Sequence, residues 1–106
     1  MTSTSTSLTI KPLVDLIDTL RILLPALSDQ YHIKSLALFG SYARQKQTAQ
    51  SDLDVLVEFE EPPSLFEFIR LERQLSEELG VKVDLVMKTA LKPAIGRRIM
   101  QEMVPV

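Results

Sequence analysis

The sequence contains no cysteine among its 106 residues, so it forms neither a disulfide framework nor a cysteine-ligated zinc site. It also lacks an apolar run approaching the roughly 20 residues that cross a bilayer. Neither sign of charge predominates, because the net charge is −2. The sequence therefore has no basic stripe suited to duplex DNA or long RNA. These absences predict a cytoplasmic protein that binds neither membranes nor duplex nucleic acid.

The length and the apolar content of 45% are typical of one soluble domain with a thin core. The first residues, MTSTSTS, have neither the basic region nor the apolar core of a signal peptide. Ser/Thr repetition of this kind buries no apolar surface. We therefore predict a disordered tail over residues 1–8 and a single domain over residues 9–106.

Helical spacing of apolar residues predicts three main helices. The first follows Pro12, with a kink or break expected at Pro25, since proline is disfavoured in a helix interior. Ser64 and Glu67 form a capping-box pattern at the start of the second helix, and Gly80 suits its end. The third helix begins at proline 93 and continues to about residue 103.

Three segments are typical of strands. Apolar and polar residues alternate from Leu53 to Phe59, and short apolar stretches occupy residues 35–39 and 81–87. With a short helix or turn after residue 40, the order of elements is α-β-α-β-α-β-α. The predicted fold is therefore α/β (α+β), with a small mixed sheet of about three strands backed by helices.

Gly40 and Ser41 stand where a buried strand turns into a helix. A glycine at such a place lets a phosphate approach the backbone, and a helix N-terminus offers unpaired N–H groups with a positive dipole. The pair indicates a phosphate site, although it is also typical of an ordinary turn.

Three aspartates carry the other chemical signal. Asp52 and Asp54 are two residues apart on a strand, so both carboxylates project from one face and their repulsion favours a bound cation such as Mg²⁺. Asp84 is the lone acid within an apolar strand, which is costly unless it is paired or bound to metal. If the strands are neighbours, the three carboxylates form the patch that two-metal phosphoryl transfer needs. The alternatives are a solvated strand end for the first two and pairing of the third with Lys82 or Lys34.

The stretch LALFGSYARQKQTAQSDLDVLVEFEE, residues 36–61, resembles the signature of the minimal nucleotidyltransferases of the DNA polymerase β superfamily. That signature is Gly-Ser, ten residues, then Asp-x-Asp, and this chain matches it without a gap. The later Val83-Asp84-Leu85 stands where the superfamily supplies its third acid. The resemblance covers roughly residues 35–103. One departure is Gln45-Lys46, where members often carry Gly-Glu.

The resemblance implies a two-ion Mg²⁺ site and ATP as the substrate. The catalytic and metal-binding residues that it implies are Asp52, Asp54 and Asp84. The nucleotide-binding residues that it implies are Gly40, Ser41 and Arg44.

The resemblance also implies a role as a type VII-like antitoxin, which transfers AMP from ATP to a hydroxyl, expected on a tyrosine, of a partner HEPN toxin. Two alternatives stay open. One is a nucleotidyltransferase acting on a small molecule or a nucleic acid end, and the other is a non-catalytic antitoxin that neutralises its partner by binding. The apolar C-terminus after Met100 is compatible with core packing or with a homo- or hetero-oligomer surface. His32 and Tyr42 are interpreted as structural.

Overall fold

The computed structural model describes residues 11–106, so the predicted tail over residues 1–8 lies outside the described part. The helices are α1 (Leu13–Tyr31), α2 (Gly40–Ala43), α3 (Leu65–Leu79) and α4 (Pro93–Glu102), with a 3-10 turn at Lys88–Ala90. The strands are β1 (Ile33–Phe39), β2 (Leu53–Phe59), β3 (Val83–Met87) and β4 (Val104–Pro105). No helix in this part of the chain is long and apolar enough to span a membrane.

The strands form one mixed sheet in the order β3-β2-β1-β4. Strand β1 is antiparallel to both of its neighbours, while β2 and β3 are parallel and are joined through α3. The predicted α/β architecture is confirmed, and the fourth strand is an addition to it. The apolar C-terminus forms this strand, since Val104 and Pro105 pair with Leu38 and Ala37.

Helix α1 continues through Pro25 without a break, so of the expected kink or break, the break is wrong. Leu20 and Leu27, on either side of the proline, are both buried in the same core. Their burial holds both halves of the helix on the sheet, which offsets the hydrogen bond that proline cannot donate. The helix ends at His32, whose left-handed backbone and N–H bond to the Ser28 carbonyl close its last turn.

One face of the sheet carries the core, because α1 and α3 pack against each other and against that face. The buried strand residues alternate with residues of the opposite face, as period two requires. The strand residues of the core are Ile33, Leu36, Leu38, Leu53, Val55, Val57, Val83 and Leu85.

Helix α3 begins and ends as predicted. The Ser64 side chain accepts a bond from the Glu67 N–H, and Glu67 accepts one from the Ser64 N–H. Gly80 takes the left-handed conformation that closes the other end. The same helix covers the outer edge of β3, where the backbone N–H groups of Val83 and Leu85 donate to side chains of α3, Ser76 Oγ at 3.0 Å and Glu72 Oε2 at 2.9 Å.

The opposite face of the sheet is less covered. It presents Asp54, Leu56 and Glu58 from β2 and Asp84 from β3. Helix α4 contains no buried residue, although its neighbour α2 contacts it. Among residues 11–106, the face that carries the predicted acids is therefore the less covered one, since α4 buries none of its own residues.

Candidate functional site

The turn after β1 depends on Gly40. Its φ of +75° lies in the left-handed region, which other residues rarely adopt. A Cβ built on Gly40 would overlap the Oδ2 atom of Asp54. Phe39 pairs in register with Asp54, so the end of β1 lies directly beside this carboxylate. The glycine thus serves both the sharp turn and the close approach of the backbone to Asp54.

Asp54 and Asp84 are register partners on the parallel strands β2 and β3. Neighbouring strands lie about 4.8 Å apart, and partners in register project from the same face. The structure therefore brings these two predicted site residues together next to the Gly40 turn.

The pKa of Asp54 is raised to about 6, and burial is the largest cause. The negative charges of Asp84 and Asp52 and a hydrogen bond with Asp84 contribute to the same rise, while the positive charge of Arg44 opposes it. Removing an acid's water and placing other carboxylates beside it both disfavour its ionised form. The site therefore concentrates negative charge that a cation or a phosphate-bound cation would relieve.

Asp52 lies just before β2 and is exposed, with its Oδ2 atom 4.0 Å from Lys82 Nζ. The other lysine considered for Asp84, Lys34, lies 3.8 Å from Glu58. Within residues 11–106, no lysine or arginine nitrogen lies within 4.0 Å of the Asp84 carboxylate. Both alternative partners of Asp84 are thus engaged elsewhere.

Arg44 follows α2 and extends over the same region. Its Nη1 atom donates to Glu102 Oε2 at 3.3 Å, and its positive charge lowers the pKa of Asp54 against the other influences. The residue after it, Gln45, stands where related sequences often carry glycine and has a φ of +56°, the left-handed conformation that glycine adopts most readily. Arg44 lies between the acids and the last turn of α4.

Ser41 and Tyr42 fix the conformation of the turn. The Ser41 carbonyl accepts a bond from the Lys46 N–H at 2.9 Å, which closes the loop after α2. Tyr42 is buried in the core, and burial together with the charge of Asp52 raises the pKa of its hydroxyl. The core packing places the first-turn N–H groups of α2, which have no acceptor within that helix, beside the acids.

The family model described as "Nucleotidyltransferase domain" matches residues 20–106. The chain belongs to this family. The predicted family, fold and enzyme class are therefore confirmed.

Two relatives are similar over most of their length. A Methanocaldococcus jannaschii protein, named provisionally as a protein adenylyltransferase, is 46% identical over 95 residues, which is 89% of this chain and 97% of the relative. The protein adenylyltransferase MntA of Thermococcus cleftensis is 45% identical over 78 residues, which is 74% of this chain and 79% of the relative.

Solved structures share the fold of this nucleotidyltransferase. One, described provisionally as a minimal nucleotidyltransferase, has a TM-score of 0.79 and 33% identity and covers 92% of this chain and 99% of its own. A toxin–antitoxin solved with AMP-PNP has a TM-score of 0.66 at 22% identity, covering 90% and 72%. A tri-AMPylated Shewanella oneidensis HEPN toxin in complex with an MNT antitoxin gives 0.63 at 19%, covering 85% and 70%.

The donor set of the candidate site fits Mg²⁺. Within the described residues 11–106, no three His, Cys, Asp or Glu side chains are grouped closely enough to hold a metal by themselves. Mg²⁺ does not need such a cage, because it commonly takes one or two carboxylates with waters and substrate phosphates. The adjacent carboxylates of Asp54 and Asp84, with Asp52 at the edge, match that requirement.

The raised pKa of Asp54 predicts a pH-dependent cost of keeping this acid ionised. Since the folded pKa of about 6 exceeds the ordinary aspartate value of 3.8, the free energy of unfolding falls as pH rises between these values. In metal-free buffer at pH 8 we expect Asp54→Asn to be more stable than the parent by about 1 kcal/mol, a value discounted for solvent screening. The difference should vanish near pH 3.5. Urea unfolding with EDTA at both pH values measures it, and a less stable variant at pH 8 would contradict the prediction.

Sequence reasoning missed Glu102. It was part of a predicted helix with no assigned role, and it contacts Arg44 across 58 residues of sequence. A lone glutamate near the end of a helix carries no local pattern, so the contact emerges only when the fold brings α4 beside α2.

Proposed function

We propose that this nucleotidyltransferase transfers AMP from ATP to a hydroxyl, on a tyrosine, of a HEPN-type toxin and acts as the antitoxin of that partner. The observation that carries the proposal is the pair of in-register carboxylates, Asp54 and Asp84, beside the glycine turn. Two relatives at 45–46% identity bear the name of protein adenylyltransferase, which supports a protein acceptor. Structures of the same fold described as toxin–antitoxin complexes support the partner.

In the proposed reaction the acceptor oxygen forms a bond to the α-phosphorus of ATP, while the bond from that phosphorus to the bridging oxygen breaks. Pyrophosphate leaves, and the hydroxyl proton passes to the Asp84 carboxylate. Mg²⁺ held by Asp52, Asp54 and Asp84 would supply stabilisation of negative charge on the reacting phosphates. Gly40 and Ser41 present backbone N–H groups to the β and γ phosphates, and Arg44 binds a phosphate oxygen through its guanidinium.

The site itself is shallow, because within residues 11–106 the opposite sheet face carries the short α2 and α4, a helix without buried residues. A chain of this size presents the acids on an open surface rather than in a deep pocket. An open site favours a large acceptor whose own surface completes it, and a tyrosine hydroxyl on a partner protein meets that condition.

The test combines the purified chain with Mg²⁺, one ribonucleoside triphosphate at a time, and the product of the adjacent gene. Intact mass spectrometry then measures the partner. We expect one or more increments of about 329 Da, the mass of an AMP unit, only with ATP. Asp52→Asn should give no increment, while Asp29→Asn on the exposed surface of α1 is the matched control and should behave as the parent.

Other outcomes separate the alternatives. A stable complex without a mass change, with full neutralisation of the partner by Asp52→Asn, indicates a non-catalytic antitoxin. Turnover of ATP with a small molecule or a nucleic acid end, and no modified partner, indicates a different acceptor. Either result would contradict the proposed protein acceptor while leaving the family assignment intact.

A further inference from the structure

An ion pair connects the turn after β1, residues 40–44, to the C-terminal helix α4. Arg44 Nη1 lies 3.3 Å from Glu102 Oε2, at the last residue of α4. A guanidinium carries five N–H donors on three nitrogens. The contact with Glu102 uses one nitrogen, so the remaining donors are available for an oxygen of an incoming ligand.

The C-terminal strand determines where Glu102 lies. Val104 pairs with Leu38 in the antiparallel ladder of β4 and β1, and the Val106 N–H donates to the Leu36 carbonyl at 3.0 Å. Because β4 runs antiparallel to β1, the end of α4 that precedes β4 lies beside the turn that follows β1, and α4 contacts α2 there. The strand therefore holds the carboxylate beside the segment that carries Arg44.

This pair contributes little to folding stability. The Arg44 and Glu102 side chains are 47% and 35% exposed, and ion pairs of such exposure are screened by water. The pair does restrict the rotamers of the long Arg44 side chain. An unrestrained arginine loses rotamer entropy when it binds a phosphate, so an arginine that is already held loses less. Arg44 follows the turn that begins at Gly40, where the backbone approaches Asp54, so the held side chain belongs to the segment beside the acids.

We propose that Glu102 is a positioning residue for nucleotide binding, which holds the Arg44 guanidinium toward the triphosphate before ATP arrives. The inference rests on the proposed function, because it deepens the role of Arg44 at the same site. The opposite role is also testable: a carboxylate that merely competed with the triphosphate for Arg44 would weaken ATP binding, and its removal would strengthen it.

The experiment measures ATP binding with Mg²⁺ by calorimetry, and KM and kcat for transfer, in the full chain. We expect Glu102→Ala to raise the Kd and KM for ATP about fivefold with little change in kcat. Without Glu102, the Arg44 side chain must lose its rotamer entropy when ATP binds. Glu102→Gln, which keeps an acceptor oxygen, should lie between the parent and the alanine variant. In an Arg44→Ala background, Glu102→Ala should have no further effect.

Glu61→Gln is the matched control. It also removes one carboxylate charge, from a glutamate whose Oε2 atom lies 3.9 Å from His32 Nε2, but at the opposite end of the sheet from Gly40. We expect its ATP binding to equal that of the parent. An equal loss in this control would show that net charge, and not the contact with Arg44, sets the affinity, and would overturn the inference.

Unchanged or tighter ATP binding in Glu102→Ala would also overturn it. So would a loss that persists undiminished in the Arg44→Ala background, since that result marks a structural role for Glu102. If the parent binds ATP but modifies no partner, the proposed function fails, and the coupling between Glu102 and Arg44 in ATP binding still decides the inference. A parent that binds no ATP would overturn both.

Discussion

Replacing Asp54 or Asp84 by asparagine is expected to lower the rate of nucleotide transfer by about a thousandfold or more. The two carboxylates are adjacent and in register, so an amide at either position removes a negative charge from the centre of the site. Loss of several kcal/mol of charge stabilisation at a reacting phosphate corresponds to this factor. Single-turnover transfer at saturating ATP measures the chemical step directly.

The fold provides the control for this prediction. Both variants should unfold cooperatively at temperatures equal to or above that of the parent in metal-free buffer, because one of several like charges has been removed. Addition of Mg²⁺ should stabilise the parent more than either variant. A variant that keeps more than a tenth of the parent rate would contradict the assignment of that aspartate to the site.

Gly40→Ala is expected to impair both stability and transfer. The new Cβ meets Oδ2 of Asp54 and lies 3.0 Å from its Cγ, and the residue must hold a φ of +75°. The unfavourable φ alone costs about 1 kcal/mol, and displacement of the carboxylate adds to it. Because a displaced group at the reacting centre strongly lowers the reaction rate, we expect the rate of transfer to fall about a hundredfold.

Two other glycines separate these causes. Gly80→Ala has a similar φ of +67°, but its Cβ meets the flexible end of Lys11, with Cε at 3.2 Å. It should lose stability and retain transfer. Gly96 lies within helix α4, where a Cβ has its nearest neighbour, Leu91 Cβ, at 3.8 Å, so alanine should be neutral or stabilising. If Gly40→Ala transferred as well as Gly80→Ala, the contact with Asp54 would not matter for the reaction.

The sequence allowed the elements and the candidate acids to be predicted because both depend on local patterns. Alternation in β2 identified the face that carries Asp54, and the capping pattern at Ser64 located the start of α3. The pairing of β2 with β3, which brings Asp54 beside Asp84, was stated only as a condition, since period two within one strand does not name its neighbour.

The remaining features depend on contacts between distant segments. Proline 25 predicts an interrupted helix by its own chemistry, yet burial on both sides holds α1 together. The two-residue strand β4 is too short for any periodicity to reveal, and it forms because Leu38 and Ala37 offer it an edge. The contact between Arg44 and Glu102 follows from that strand, so no reading of the helix alone predicts it.

The covered edges of the sheet restrict how this protein associates with others. At β3 the outward N–H groups of Val83 and Leu85 already donate to side chains of the protein's own helix. At the other end, β4 contains two residues, and one of them, Pro105, has no N–H to donate. Within residues 11–106, continuous β-augmentation by a foreign strand therefore finds no run of vacant donors along either edge. A partner that binds this part of the chain is expected to contact side chains on helices and loops, so that surface shape and charge set the specificity rather than backbone pairing.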